Sequence, residues 1–308
     1  MKLIAGFPAQ EVAGPSTVTV GVFDGMHTGH TMFLRRMADA AHANGHRAVV
    51  VTFDPHPDIL IHPETYRGLL LTPQERYQRM AACGIDVVLT IAFDQDVRSM
   101  TAAEFMARVC SVVHVKTVWV GWDFALGRGR DGTFQRLAEI GASLGYTAVE
   151  IPQIGESTPP SASFIRNALT QGDIAVATQA LGRMHTYHGV VVHGDKRGRT
   201  IGFPTANISI DDRLLLPKYG VYATRVTIHD VLYQSVTNIG VRPTFGGEQP
   251  RIEAHLLDVT VDVYDALAQV ELVAFIRGEQ RFAGLDALKA QIALDAQHAR
   301  TLLAHQSH

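Results

Sequence analysis

Two rhythms of apolar residues divide this chain. Between Ser16 and about Ile154, short β-branched runs alternate with segments of helical spacing. Thr17 to Phe23, Arg47 to Phe53, Val87 to Phe93, Thr117 to Phe124 and Thr147 to Ile151 are almost continuously apolar. That is the pattern of parallel strands buried on both faces. Between them, Thr72-Pro73-Gln74-Glu75 and Thr101-Ala102-Ala103-Glu104 set a hydroxyl three residues ahead of a carboxylate, which marks a helix start. After Thr28, the positions Phe33, Leu34, Met37, Ala38 and Ala41 keep helical spacing up to Gly45, a natural helix end.

From Met184 to Phe275 the rhythm changes to period two, broken by Gly, Pro and Asn, with strands expected at Val190 to Val192, Val221 to Ile228 and Ile252 to Val263. A final helix is expected from Leu285 to Leu303, with Leu288, Ile292, Leu294, Ala299 and Leu302 available for packing. Between the two patterns, Glu156-Ser157-Thr158-Pro159-Pro160 reads as a loop and Ser161 to Gly182 as two short helices. The expected fold is α/β: a Rossmann-like parallel-sheet domain over residues 1–183, its helical bridge at about 156–183, then a small antiparallel β-barrel with a carboxy-terminal helix over 184–308. A length of 308 residues is enough for two such cores.

Charge and composition narrow the partners. Lys and Arg total 27 against 30 acidic residues, with no long run of either sign, so neither nucleic acid nor an anionic membrane is the expected partner. Compact anions remain open. The apolar stretch Leu3 to Phe7 is too short for a signal-peptide core, and no run approaches the roughly 20 residues of a membrane helix. The expectation is a cytoplasmic protein. Cys83 and Cys110, both in apolar and helix-like surroundings, are expected as buried free thiols.

The first candidate site follows the first strand, in Gly21-Val22-Phe23-Asp24-Gly25-Met26-His27-Thr28-Gly29-His30. Glycines let backbone N–H groups approach an anion, and a helix amino terminus adds unpaired donors and partial positive charge. Two imidazoles can add hydrogen bonds to phosphate oxygens. A tight strand–helix turn carrying incidental histidines is the alternative, since the chain has 15 of them. The segment resembles the His-x-Gly-His nucleotidyltransferases, and within them the adenylyltransferase half of bifunctional riboflavin kinase/FAD synthetases.

Further stations of that family occur in order. Phe53-Asp54-Pro55-His56-Pro57 follows strand two, Gly121-Trp122-Asp123-Phe124 precedes the loop Gly127 to Gly132, and Ser161-Ala162-Ser163-Phe164-Ile165-Arg166 resembles the family's Ser-Ser-Thr-x-Ile/Val-Arg. The resemblance implies catalysis by His27, His30 and Arg166, with ATP at Gly21, Phe23, Asp24, Gly25, Gly29, Ser161 and Ser163. It implies flavin contacts at Asp54, Pro55, His56, Pro57, Asp123 and Phe124. Two positions depart from the pattern: Ala162 replaces a hydroxyl, and Ala125-Leu126 replaces a more usual polar or aromatic pair.

The second candidate site is His193-Gly194-Asp195-Lys196-Arg197-Gly198-Arg199-Thr200-Ile201-Gly202-Phe203-Pro204-Thr205-Ala206-Asn207, a basic, glycine-rich stretch without a Walker pattern. Thr205 and Asn207, two apart, can present hard oxygen ligands on one side of an extended segment. This stretch resembles the riboflavin kinase signature Gly-x-Pro-Thr-Ala-Asn, and the likeness continues through Leu216 to Ala223, Asn238 to Phe245 and Glu253 to Asp258. It implies Glu253 as the catalytic base, Thr205 and Asn207 as ligands of Mg2+ on ATP, and ATP contacts at His193, Gly194, Lys196, Gly198, Gly202 and Pro204. Flavin contacts are implied at Asn238, Arg277 and Phe282. His255 shares the face of Glu253 and reads as structural.

The resemblance as a whole implies two Mg2+-dependent steps, riboflavin plus ATP to FMN and then FMN plus ATP to FAD. Two alternatives stay open: a kinase whose adenylyltransferase half is degraded at Ala162 and Ala125, and a flavin-binding sensor without turnover.

Overall fold

The computed structural model describes residues 1–8, 12–152, 160–194, 202–244, 247–259 and 261–304. The chain divides into two compact units, Met1–Pro160 and Ser161–His308.

The first unit runs β1 (Lys2–Ala5), β2 (Val12–Val20), α1 (Thr28–Ala43), β3 (Arg47–Phe53), α2 (Asp58–Ile61), α3 (Pro73–Ala81), β4 (Val87–Ile91), α4 (Gln95–Ser99), α5 (Ala102–Val112), β5 (Val113–Gly121), α6 (Phe134–Leu144) and β6 (Thr147–Ile151). Its strands are parallel throughout and lie in the order β1-β4-β3-β2-β5-β6. Both faces are covered, which explains the near-continuous apolar runs. Val49 and Val51 of β3 pack with Phe105, Met106 and Leu137, whereas Ala48 and Val50 pack with Leu34, Met37 and Met80. Thr72 and Thr101 form the expected capping boxes with Glu75 and Glu104, a device worth about 1 kcal/mol per cap.

Some boundaries differ from the pattern reading. β2 ends at Val20 and β5 at Gly121, because the phenylalanines expected to close these strands, Phe23 and Phe124, stand in the loops beyond. Phe23 has a φ of 54°, which no strand accommodates. β1 was not read as a strand because it spans only four residues, most of them exposed, within the short apolar stretch Leu3 to Phe7. Cys83 lies in the turn after α3 rather than in a helix; it is buried, Cys110 on α5 is partly buried, and both are free thiols.

The second unit runs α7 (Ala162–Gln171), α8 (Ile174–Leu181), β7 (Thr186–Val192), β8 (Ala206–Ile210), β9 (Gly220–Ile228), β10 (Val231–Thr244), β11 (Gly247–Leu256), β12 (Leu267–Gly278) and α9 (Leu285–Ala304), the last closing the described chain. The strands close into an antiparallel barrel in the order β10-β11-β8-β7-β12-β9. The helical segment expected as a bridge, α7 and α8, falls with this unit: the Lys218 N–H donates to the Leu169 carbonyl at 2.9 Å, and the ring of Phe275 crowds Gly172.

Two expectations about the barrel need correction. The strand expected to reach Val263 stops at Leu256, since Asp258 turns the chain with a φ of 61°. On α9, Leu294 is exposed, while Ala296, Ala299 and Leu303 pack on Val221, Ala223, Val236 and Val273.

Candidate active sites

In the first unit the chain passes from β2 to β3 and β4 on one side, then returns to β5 on the other. Such a reversal opens a crevice at the carboxyl ends of the two diverging strands, where ligands of open α/β sheets bind. The segments after β2 and after β5, Gly21 to His30 and Trp122 to Phe124, both leave the sheet at this point.

The turn after β2 is tightly built. Phe23 and Met26 take positive φ values of 54° and 42°, a strain of about 1–3 kcal/mol each for residues with side chains. A Cβ on Gly21 would sit 2.8 Å from the Phe23 ring, and one on Gly25 would sit 2.7 Å from Leu70. The buried Asp24 carboxylate accepts from the N–H of Gly25 at 3.0 Å and of Leu70 at 3.1 Å, so it fastens the turn to the segment ahead of α3. His27 caps α1, its Nδ1 accepting the His30 N–H at 3.3 Å. The two imidazoles stack with centroids 3.6 Å apart, and Phe23 meets His30 edge-on at 5.1 Å. Burial, and next the adjacent His27, hold the His30 pKa well below its ordinary value. His30 is therefore a neutral hydrogen-bonding group at pH 7, not a fixed cation.

The other stations of this unit fall around the same sheet end. His56 is buried, with Nδ1 accepting the Asp58 N–H at 3.1 Å, next to the buried Pro57; Asp54 is half-buried and Pro55 exposed. Asp123 and Phe124 follow β5, and Arg130 donates to the Asp123 carbonyl at 3.0 Å. Leu126, one of the two departures, is a buried core residue paired with Gly132, which explains an apolar side chain there.

Arg76 was not picked out from sequence. It is 3% exposed and donates to the carbonyls of Val22 at 3.0 Å and Phe53 at 3.1 Å, tying the two site loops together. A cation inside an amphipathic helix gives no local signal of that kind.

Ser161, Ser163 and Arg166 belong to the second unit. Ser161 caps α7 by accepting the Phe164 N–H at 3.1 Å, Ala162 is the first helical residue, Ser163 is exposed and Arg166 is buried.

The barrel places the kinase candidates in one row. Asn207 on β8 stands opposite Glu253 on β11, Glu253 opposite Asn238 on β10, Asn238 opposite Val221 on β9, and Val221 opposite Arg277 on β12. All five line a cavity of about 590 Å³, together with Thr205 and Phe282. The site is thus a consequence of register: a one-residue slip of any of these strands would turn its member of the row to the other face.

Contacts around the cavity fix its walls. The Arg277 Nε and Nη2 grip both oxygens of the buried Asp295 on α9, at 2.7 to 3.0 Å, and its guanidinium lies 5.7 Å from the Phe282 ring centre. His255 Nδ1 lies 2.8 Å from the Pro204 carbonyl, which can only accept, so this ring nitrogen carries the proton and the histidine holds the Pro204–Thr205 segment. Gly194 abuts Asn207: a Cβ there would lie 2.3 Å from the amide Nδ2. His193 packs on Tyr264 at 3.9 Å, Gly202 is exposed with a φ of 89°, and Pro204 shares a small neighbouring pocket with Thr205. Lys196 and Gly198 lie outside the described residues. Arg251 and Phe203 also line the cavity and were not singled out beforehand, although period-two spacing already puts Arg251 on the face of Glu253.

A parallel sheet with a phosphate-type turn at its switch point, followed by a barrel with a carboxylate between oxygen donors, defines a two-site, nucleotide-using transferase. The comparisons with known proteins agree in both halves. A FAD synthetase family model matches residues 9–163 and a riboflavin kinase model matches 181–303. The Bifunctional riboflavin kinase/FMN adenylyltransferase of Escherichia coli (strain K12) is 38% identical over 305 residues, covering 97% of each chain. Its counterpart in Bacillus subtilis (strain 168) is 34% identical, covering 94% of this chain and 93% of the relative. A crystal structure of a macrolide-efflux protein from Streptococcus pneumoniae superposes with a TM-score of 0.86 at 30% identity, over 97% of this chain and 99% of the other. Among the described residues, no helix of the present chain is long and apolar enough to cross a membrane. The chain belongs to the bifunctional riboflavin kinase/FMN adenylyltransferase family, with both catalytic domains present.

Proposed function

We propose that the two sites carry out successive steps, residues 184–308 making FMN from riboflavin and residues 1–183 making FAD from FMN. The observation that carries the kinase assignment is the register row Asn207–Glu253–Asn238 inside one cavity with Thr205. Glu253 accepts the proton of the terminal ribityl hydroxyl of riboflavin as that oxygen attacks the γ-phosphorus of ATP and ADP leaves. General-base help of this kind is worth about 10²–10⁴-fold in rate. Asn238, Phe282 and Arg277, the last held by Asp295, form the flavin wall. His193, Gly194, Lys196, Gly198, Gly202 and Pro204 serve the nucleotide.

Magnesium fits the donor set. Among the described residues no cluster of three His, Cys, Asp or Glu could hold a metal by itself, while the Thr205 hydroxyl and Asn207 carbonyl line the same cavity as Glu253. Two hard, uncharged oxygens suit a Mg2+ that arrives largely liganded by phosphates and water. That ion supplies charge neutralisation at the transferring phosphate.

At the first site, the phosphate of FMN attacks the α-phosphorus of ATP and pyrophosphate leaves. The α1 amino terminus, His27 and His30 hydrogen-bond the phosphates, a contribution through positioning and charge stabilisation, and the glycines Gly21, Gly25 and Gly29 leave the turn without side chains in their way. Phe23 and Asp24 hold the turn in shape. Asp54, Pro55, His56, Pro57, Asp123 and Phe124 are assigned to FMN, and Ser161, Ser163 and Arg166 to the same reaction by their likeness to the family motif. Two free cysteines and an undirected charge distribution support a cytoplasmic location.

Incubating the chain with riboflavin, ATP and Mg2+ and resolving flavins by chromatography over time tests the proposal. FMN should appear first and FAD after it. FMN without FAD would reduce the chain to a kinase, and no FMN at all would leave only a flavin-binding protein.

A further inference from the structure

The cavity of the second unit holds a contact that the two-step reading does not use. Arg251 and Glu253 are two apart on β11 and so project from the same face, into the same cavity. Nη2 of Arg251 donates to Oε1 of Glu253 at 2.5 Å, a charge-assisted bond. Oε2 carries no hydrogen bond from any described residue, although Asn207 and Asn238 flank Glu253 in register on either side. The other arginine of the row cannot substitute, because the Arg277 guanidinium is committed to Asp295 and to the Gly278 carbonyl.

We propose that Arg251 is a positioning residue for phosphoryl transfer: it holds Oε1 of Glu253 and thereby turns Oε2 toward the substrate hydroxyl. The inference rests on the assignment of Glu253 as the base. A carboxylate on a two-carbon stem has rotamers that point both of its oxygens away from a bound hydroxyl, and the guanidinium selects one of them. Small misplacements of a reacting group are costly in rate even where binding is unaffected. The pair is partly exposed, 38% on Arg251 and 19% on Glu253, so it adds little to folding stability. Its effect should therefore appear in turnover and not in the unfolding midpoint.

A double-mutant cycle on the full chain separates this role from others. FMN formation is measured at varied riboflavin and Mg-ATP for wild type, Arg251→Gln, Glu253→Gln and the double variant. The expected result is a kcat about tenfold lower for Arg251→Gln, with KM values and unfolding midpoint near wild type. In the Glu253→Gln background the same change should cost less than about twofold, because there is no longer a carboxylate to orient. Arg251→Lys, which keeps a cation with a less directional donor, should recover part of the loss. An equal loss in both backgrounds would overturn the proposal and make Arg251 a direct contact to the phosphate. A rise confined to KM, or no loss in wild type, would also overturn it. If Glu253→Gln alone left FMN formation intact, the base assignment itself would fall and this proposal with it. FAD formation from supplied FMN reports in every variant that the first site is competent, and the unfolding midpoint reports on the barrel.

Discussion

Replacing Asp295 by Ala should loosen the carboxy-terminal helix and open one wall of the kinase cavity. Asp295 is 4% exposed at its side chain and Arg277 16%, joined by three contacts of 2.7 to 3.0 Å, with Gln291 adding a further donor at 2.9 Å. Removing one partner of a fully buried ion pair costs about 3–5 kcal/mol, mostly for the charge left behind. Arg277 borders the cavity and can regain some water, so we take about 2–3 kcal/mol here. That corresponds to a roughly 30- to 150-fold loss of amide protection wherever α9 opens independently of the rest. Hydrogen exchange followed on peptides from residues 285–304 reads this directly and avoids treating a two-unit chain as two-state. Arg277→Met with Asp295→Leu should lose less than Asp295→Ala alone, since no charge is stranded. Unchanged protection in Asp295→Ala, or a double variant worse than the two single variants together, would refute the reasoning.

Other outcomes follow from the same contacts. Gly194→Ala brings a Cβ to 2.3 Å from the Asn207 amide, and displacing that side chain from the cavity should cut FMN formation about tenfold or more, with FAD formation from FMN unaffected in the same assay. Arg76→Met strips donors from the buried carbonyls of Val22 and Phe53; FAD formation from FMN should fall while the FMN yield from riboflavin is kept, and the first unit should lose about 2–4 kcal/mol. Since His30 has its pKa held below 6.5 in the folded chain, the unfolded state binds more protons below that pH, so stability must fall as the solution is acidified through about pH 6.5. Trp119 and Trp122, the chain's two tryptophans, both lie in the first unit, so urea midpoints by fluorescence should show this slope and show less of it in His30→Gln.

What was legible beforehand follows physical lines. A run buried on both faces announced β3 to the residue, the short β-branched run Thr147 to Ile151 did the same for the edge strand β6, and the two Thr-x-x-Glu boxes marked the starts of α3 and α5. The ends of β2 and β5 were read too far along because an apolar phenylalanine looks the same in a strand as in a site loop; only the positive φ at Phe23 distinguishes them. Asn207, Asn238 and Glu253 stand in separate motifs of the sequence, and their alignment in one row depends on strand register across the barrel, which no local pattern encodes. Arg76 and Asp295 escaped for a related reason. Their partners lie 54 and 18 residues away, and a charged residue on a helix reads as solvated until its partner is seen. Asp295 did leave a trace, since it interrupts the apolar face formed by Leu288, Ile292, Ala296 and Ala299.

The claim on which the account turns is that the chain carries two independent sites, the phosphorylating one centred on Glu253. The most direct measurement is a flavin time course with the Glu253→Gln chain, given riboflavin in one arm and FMN in the other, with ATP and Mg2+ in both. The account predicts that FMN formation from riboflavin falls by about 10²–10⁴-fold while FAD formation from supplied FMN proceeds at the wild-type rate. FMN formation at an undiminished rate, or loss of both products together, would contradict it.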